Sequence, residues 1–279
     1  LNKFIIKYSK IEKTSLIKNI KHQAIRETLK KYTNDYLEIT SVSDVPAGTG
    51  LGSSGTFLVG LINAVNAYNH NYLSHHELAE IACEIEMNVL KQPSGKQDPF
   101  IASYGGIKVF NIERNGLTNV RDVPISNEFR IELEENLLIF FTGYTRYSSK
   151  ILSEQEKKVK NKNSEMISSL NFIKNIADKT YETFASGNLY EYARLMNEHW
   201  EYKLKRSKSM SSNKINLIIS QGLKNGALAA KIIGAGGGGF VMFVANDKKK
   251  LRNKMKEFKL SELNFKFDND GSQIISRNF

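Results

Sequence analysis

Residues 44–68 read DVPAGTGLGSSGTFLVGLINAVNAY, a glycine- and serine-rich loop that runs without a break into an amphipathic helix. The preceding stretch, YLEITSVSDV at 36–45, is rich in β-branched and aromatic residues and reads as a strand. Beyond the loop, Phe57, Leu58, Leu61, Ile62, Val65 and Tyr68 recur at helical spacing, so the helix begins at Ser53 or Ser54. First-turn amides lack intrahelical partners and sit at the positive end of the helix dipole. Gly48, Gly50 and Gly52 let the backbone turn tightly and approach a bulky anion, and the hydroxyls of Ser53 and Ser54 can reach a phosphate oxygen or a metal. The stretch therefore reads as a phosphate cradle. An ordinary turn with a serine cap would explain one or two of these residues, not all of them together with Pro46. A Walker P-loop is excluded because no lysine follows, and a dinucleotide fold because HELAEIACEIEMNVL at 76–90 is a second helix where a strand is needed.

Working outward, that second helix spans about 74–90. On a helical wheel Leu78, Ile81, Ala82, Ile85 and Val89 share one face, and Glu77, Glu80 and Glu84 lie opposite. Glu86 falls at the edge of the apolar stripe, where an acid wants a partner. In KQPSGKQDPFIASYGGIKVFNI (91–112), Pro93 and Gly95 break the helix, Asp98 opens the next apolar segment, and a strand follows Gly105-Gly106. From position alone Asp98 is either a helix N-cap or a functional acid. A third stretch, KIIGAGGGGFVMFV at 231–244, has strand-like residues on both sides of five glycines, which give the backbone room to approach a ligand or the phosphate loop closely.

The loop resembles the P-x-x-x-G-L-G-S-S-A phosphate loop of the GHMP kinases. Residues 46–54 fit throughout, and Gly55 stands where alanine is usual. GKQD at 95–98 before a glycine-pair strand, and the glycine-rich 234–239, resemble the family's later motifs; within the family TG-x-x-R at 142–146 and YSKIE at 8–12 look most like the D-glycero-D-manno-heptose 7-phosphate kinases. The resemblance implies an α+β, two-domain fold, with an N-terminal domain at 1–127 and a ferredoxin-like C-terminal domain at 128–279. It implies ATP held by Pro46, Gly48, Gly50, Leu51, Gly52, Ser53 and Ser54, and Mg²⁺ ligated by Ser54 and Glu86. Asp98 would deprotonate or orient the acceptor hydroxyl, with Lys96 holding it ionised or offsetting phosphate charge. Arg146 is a candidate for the acceptor's own phosphate, and Gly236, Gly237 and Gly238 would close over the substrate. The implied reaction moves the γ-phosphate of ATP to the anomeric hydroxyl of heptose 7-phosphate, giving the 1,7-bisphosphate for nucleotide-activated heptose. A fucokinase, a galactokinase or a non-catalytic sugar-binding regulator on the same fold is the alternative. The family's first motif has no match here, so the chain is expected to be truncated at its N-terminus and to lack acceptor-site residues.

With 279 residues, 41% hydrophobic and 25% charged, the chain has the composition of a soluble globular protein of one large or two ordinary domains. No apolar run approaches the ~20 residues of a membrane span, and no secretory signal is present, so a cytoplasmic location is expected and a membrane partner is not. A net charge of +11 suits anionic partners, but the lysines are dispersed and no nucleic-acid signature accompanies them. Small-molecule sugar phosphate and ATP are the expected partners; a homodimer is left open. The one cysteine, Cys83, reads as a small core residue, and the five histidines show no metal-ligand spacing. Lys203 and Lys205 could face the substrate, but a solvated helix end is the simpler reading. Residues 247–259 read as a solvent-facing helix with Leu251, Met255 and Phe258 inward, and Asp270-Gly271 as the turn of a last hairpin.

Overall fold

The computed structural model describes residues 2–145, 148–207 and 210–276. The chain forms two compact units, one of residues 1–46, 52–106 and 268–279, the other of 47–51 and 107–267.

In the first unit β1 (Phe4–Lys7) runs antiparallel to β2 (Ile11–Thr14) and parallel to β3 (Glu38–Thr40), in the order β2-β1-β3. The strand expected over 36–45 is confined to β3; Val42 is exposed, and Pro46 has no N–H to extend a ladder. Among the described residues the unit has four α-helices, α1 (Gln23–Tyr32), α2 (Ser53–Tyr68), α3 (His75–Cys83) and α4 (Gln97–Tyr104). Ser74 caps α3 in a reciprocal box with Glu77. Leu61 and Val65 of α2 pack with Phe4, Ile6, Ile25 and Leu29, whereas Leu58, Val59 and Ile62 pack with Leu78, Ala82 and Ile85. Helix α2 is thus buried on two sides, which fixes its N-terminus firmly.

The expected terminal hairpin does not form. Residues after 267 instead cross the end of α4, where Gly106 N donates to Asp268 O, Ser272 N to Ser103 O, and Asn63 Nδ2 to Ser272 Oγ at 3.0 Å. Gly271 lies so close to the Ser103 carbonyl that a Cβ would come within 2.3 Å, a packing contact rather than a hairpin turn.

After residue 106 the second unit continues with an antiparallel hairpin of β4 (Lys108–Ile112) and β5 (Thr118–Asp122). After α5 (Asn127–Asn136) comes the buried β6 (Leu137–Phe141), then α6 (Ser148–Lys160), α7 (Ser164–Ser186), α8 (Leu189–Leu204) and α9 (Asn213–Lys224). The chain closes with β7 (Ala227–Ile232), β8 (Phe240–Ala245), α10 (Lys248–Glu257) and β9 (Ser261–Leu263). The sheet order β7-β8-β6-β9, antiparallel throughout, with helices between the first and second and the third and fourth strands, is the ferredoxin-like arrangement. Leu138, Phe140, Val241 and Phe243 face Ile215 and Ile218 of α9 and Leu251 and Met255 of α10. Leu137, Ala229 and Val244 on the other face meet Leu133 of α5 and Ala193 and Met196 of α8. Edge strand β7 is protected by Asn197, whose side-chain amide donates to Leu228 O and accepts from Ala230 N. Among the described residues no helix is long and apolar enough to cross a membrane.

Candidate active site

Helix α2 begins at Ser53, and its N-cap is Gly52 in the left-handed region at φ 69°, with no side chain to accept from the first-turn amides. No acidic residue stands in that turn. The helix end is therefore left electropositive, with the hydroxyls of Ser53 and Ser54 at its mouth.

Asp98 lies in the first turn of α4, whose N-cap is Lys96, so the capping reading of Asp98 does not hold. Its carboxylate is packed against the start of α2: a Cβ on Gly52 would come within 3.0 Å of Asp98 Cγ. The same packing accounts for Gly55. An alanine methyl there would meet Pro99 Cδ at 3.0 Å and Asp98 Cβ at 3.1 Å, closer than ordinary van der Waals contact. This chain's departure from the usual alanine fits a tight approach of the Asp98-Pro99 step to α2.

Glu86 is the feature that the wheel misplaced. Instead of continuing as an α-helix, residues Glu84–Val89 form a π-helical turn after α3, with Leu90 N donating to Ile85 O. A wider turn makes each side chain lag behind its α-helical position. Glu86 swings inward to 4% exposure, while Val89, expected on the apolar stripe, is 47% exposed. Burial pushes the Glu86 carboxyl up, the hydroxyls of Ser54 and Ser94 pull it back, and the nearby negative charge of Asp98 raises it further. Glu86 has no salt bridge among the described residues. A buried carboxylate without a cation, a serine hydroxyl and a second carboxylate nearby form a hard-oxygen donor set suited to a divalent cation. No group of three or more His, Cys, Asp and Glu able to hold a metal occurs among the described residues. An ion here would take its remaining ligands from phosphate oxygens and water.

Lys96 is not a free cation beside Asp98. Its ammonium holds both oxygens of Glu80 at 2.7 and 2.8 Å and lies 5.7 Å from the Phe100 ring centroid. Cys83 is buried as expected, and burial raises its thiol to about 12, which makes it unreactive. Arg146 lies outside the described residues.

In the second unit, Gly48 and Gly50 of the loop adopt φ 77° and 85°. This part of the loop meets the glycine-rich segment backbone to backbone. A Cβ on Gly234 would fall 2.4 Å from Gly50 O, and one on Gly239 2.0 Å from Thr49 O, so glycine is required at both. The segment is itself tied down: Gly239 N donates to Tyr144 O, Gly237 N to Met210 O, and Thr142 Oγ1 to Gly239 O. Gly236 packs beneath Met210 and Gly238 beside Tyr144. The Gly237 and Gly239 amides are thus engaged within the protein.

One basic residue was misread. Lys203 is only 8% exposed, in the last turn of α8, and its ammonium donates to Gly234 O. Lys205 is the exposed one, over the Tyr202 ring at 4.3 Å. The signal available in the sequence was the spacing from Trp200, which places Lys203 on the buried side.

Residues 16–106 match the family model of the GHMP kinases N terminal domain, and residues 180–259 that of the GHMP kinases C terminal domain. The chain is 31% identical over 238 residues to the D-glycero-alpha-D-manno-heptose 7-phosphate kinase of Campylobacter jejuni, a match that spans 85% of this chain and 69% of that protein. It is 26% identical over 230 residues to L-fucokinase/L-fucose-1-P guanylyltransferase of Bacteroides fragilis, spanning 82% of this chain and 24% of that protein. Among solved structures, a D-glycero-D-manno-heptose 1-phosphate kinase from Bacteroides thetaiotaomicron is similar with a TM-score of 0.77 at 23% identity, over 99% of this chain and 84% of that one. That likeness speaks to the fold.

Proposed function

The chain belongs to the GHMP kinase family, phosphotransferases that use ATP and an alcohol acceptor, and on that premise we propose that it phosphorylates the anomeric hydroxyl of D-glycero-D-manno-heptose 7-phosphate. The observation that carries the reading is the Asp98 carboxylate packed against Gly52 at the open N-terminus of α2. An acid held beside an anion-binding helix end can align an acceptor hydroxyl with the phosphate to be transferred.

In this mechanism the loop 46–54 and the first-turn amides of α2 bind the ATP phosphates. Ser54 and Glu86 would hold Mg²⁺, which supplies charge neutralisation at the transferring phosphoryl group. Asp98 accepts the proton of the anomeric hydroxyl as its oxygen bonds to the γ-phosphorus and the bond to the ADP oxygen breaks. Lys96, fixed by Glu80, contributes positive charge to the same helix start. Gly236, Gly237 and Gly238 would shape the substrate side through backbone packing, their strongest support being the absence of side chains. Arg146 is retained as a candidate ligand of the acceptor phosphate. The product, heptose 1,7-bisphosphate, suits a cytoplasmic route to nucleotide-activated heptose for surface polysaccharide.

The test is ADP release with Mg-ATP across a panel of heptose 7-phosphate, unphosphorylated heptose, L-fucose and galactose, with phosphorus NMR of the product. The expected result is turnover with heptose 7-phosphate and a new anomeric phosphate signal. Turnover only with L-fucose or galactose would move the assignment to another sugar-1-kinase, and nucleotide binding without turnover on any acceptor would favour a regulator.

A further inference from the structure

The second unit contains a cluster of positive charge, buried at Lys203 and partly buried at His199, Arg206 and Lys231, for which the catalytic reading has no use. Helix α8 and the turn after it carry His199, Lys203 and Arg206, spaced so that all three fall on one side of the helix. Lys231 alternates with Ala230 along β7 and so shares with Ala229 the sheet face that α8 covers. The groups are close enough to feel one another: burial and the charges of Lys231 and Arg206 bring Lys203 down to about 7, and burial with all three cations brings His199 down to about 3. Burial alone lowers Lys231 and Arg206.

Among the described residues none of the three cations is paired with a carboxylate. The Lys203 ammonium donates to Gly234 O, and Arg206 Nε donates to Ser169 Oγ at 3.0 Å. Arg206 Nη2 and His199 Nδ1 are buried with no hydrogen-bond partner. Glu154, an acid close to this region, is engaged by Ser207 Oγ at 2.8 Å and Lys158 at 3.3 Å. Burying like charges together without a counter-ion is costly, and the negative end of α8 offsets only part of that cost. Such a cluster fits an anion with several acceptor oxygens. Through Gly234 it is tied to the glycine-rich segment that lies against Gly50.

We infer that Lys203, Arg206 and Lys231 form a phosphate-binding subsite for the phosphomonoester that the acceptor already carries. This rests on the kinase reading above, which supplies the phosphomonoester. Lys231, partly exposed on its edge strand, offers the way in from solvent. The sole tryptophan, Trp200, lies on α8 between His199 and Lys203 and serves as a built-in reporter.

The test follows Trp200 emission and melting temperature of the full chain against inorganic phosphate, heptose 7-phosphate, unphosphorylated heptose and a non-hydrolysable ATP analogue, for wild type, Lys231→Met and Arg206→Gln. The subsite predicts a response to inorganic phosphate and heptose 7-phosphate but not to unphosphorylated heptose, lost in both variants. It also predicts a KM for heptose 7-phosphate raised about tenfold or more, as expected for a lost charge-assisted contact, at nearly unchanged kcat. Saturation of the response by the ATP analogue alone would overturn the assignment to the acceptor. Variants that melt higher with unaltered KM and no phosphate response would overturn the subsite and leave the kinase reading standing. If instead no sugar is turned over but phosphate still acts on Trp200, the kinase reading fails and the anion site survives. Should Arg206→Gln fold poorly, Lys231→Met alone decides.

Discussion

Glu86 and Lys203 make an instructive pair. Both are ionisable side chains buried without an opposite charge among the described residues, one in each unit. Burial pushes the acid up and the base down, and in each case a like charge adds to the effect, Asp98 for Glu86 and Lys231 with Arg206 for Lys203. A protein optimised only for stability would not keep either. The difference lies in their hydrogen-bond environment. Glu86 has hydroxyls around it and suits a cation, whereas Lys203 sits in a group of N–H donors and suits an anion.

The largest expected effect falls on the acidic side of the comparison, at the Asp98 charge that Glu86 feels. Asp98→Asn keeps the shape against Gly52 but removes the base, and kcat should fall by about 10²–10⁴-fold while the melting temperature holds. Next, Glu86→Gln removes a buried charge. The variant should melt higher than wild type above the raised Glu86 value, yet lose the further rise that Mg²⁺ with a non-hydrolysable ATP analogue gives wild type; calorimetry with and without both ligands reads the two together. If Glu86→Gln kept that ligand-dependent rise, the cation would have to be held elsewhere.

The two groups should also carry opposite pH slopes. Glu86, raised in the folded state, favours folding below its unfolded value, and that contribution is lost as pH rises through its folded value. Lys203, lowered to about 7 from an ordinary 10.5, contributes stability above the unfolded value that is lost as pH falls through about 7. Comparing Lys203→Met with wild type, the advantage of the variant should shrink as pH is raised from about 7 towards 10.5. Melting curves across that range check it, and a constant offset would remove Lys203 as the titrating group. The smallest effect sharpens the acidic side alone. Gly55→Ala restores the residue usual in the family but crowds Pro99 and Asp98, so kcat should drop only a few-fold, with a slight loss in melting temperature.

Much of this was legible in the sequence where local chemistry dictates structure. The loop at 46–54, its left-handed glycines and the helix starting at Ser53 follow from residue types alone, whereas the ferredoxin-like half was implied by the family resemblance and not by any local pattern. What was not legible depended on tertiary packing. A helical wheel assumes one repeat, so it put Glu86 at the rim and Val89 inside, and the π-helical turn reversed both. Asp270-Gly271 has the composition of a hairpin turn, but the chain after β9 is claimed by the backbone of α4. Lysine is normally exposed, so Lys203 passed for a solvated helix end until its bond to Gly234 showed it buried.

The most direct test of the contrast is a steady-state acceptor titration, with Mg-ATP saturating, on Asp98→Asn and Lys231→Met in the same assay. The two-site account predicts that Asp98→Asn loses kcat with the acceptor KM little changed, and that Lys231→Met raises the KM with kcat held. If both variants lose kcat and KM in parallel, or if Lys231→Met behaves as wild type, the division of labour between an acidic catalytic site and a basic acceptor-phosphate site is wrong.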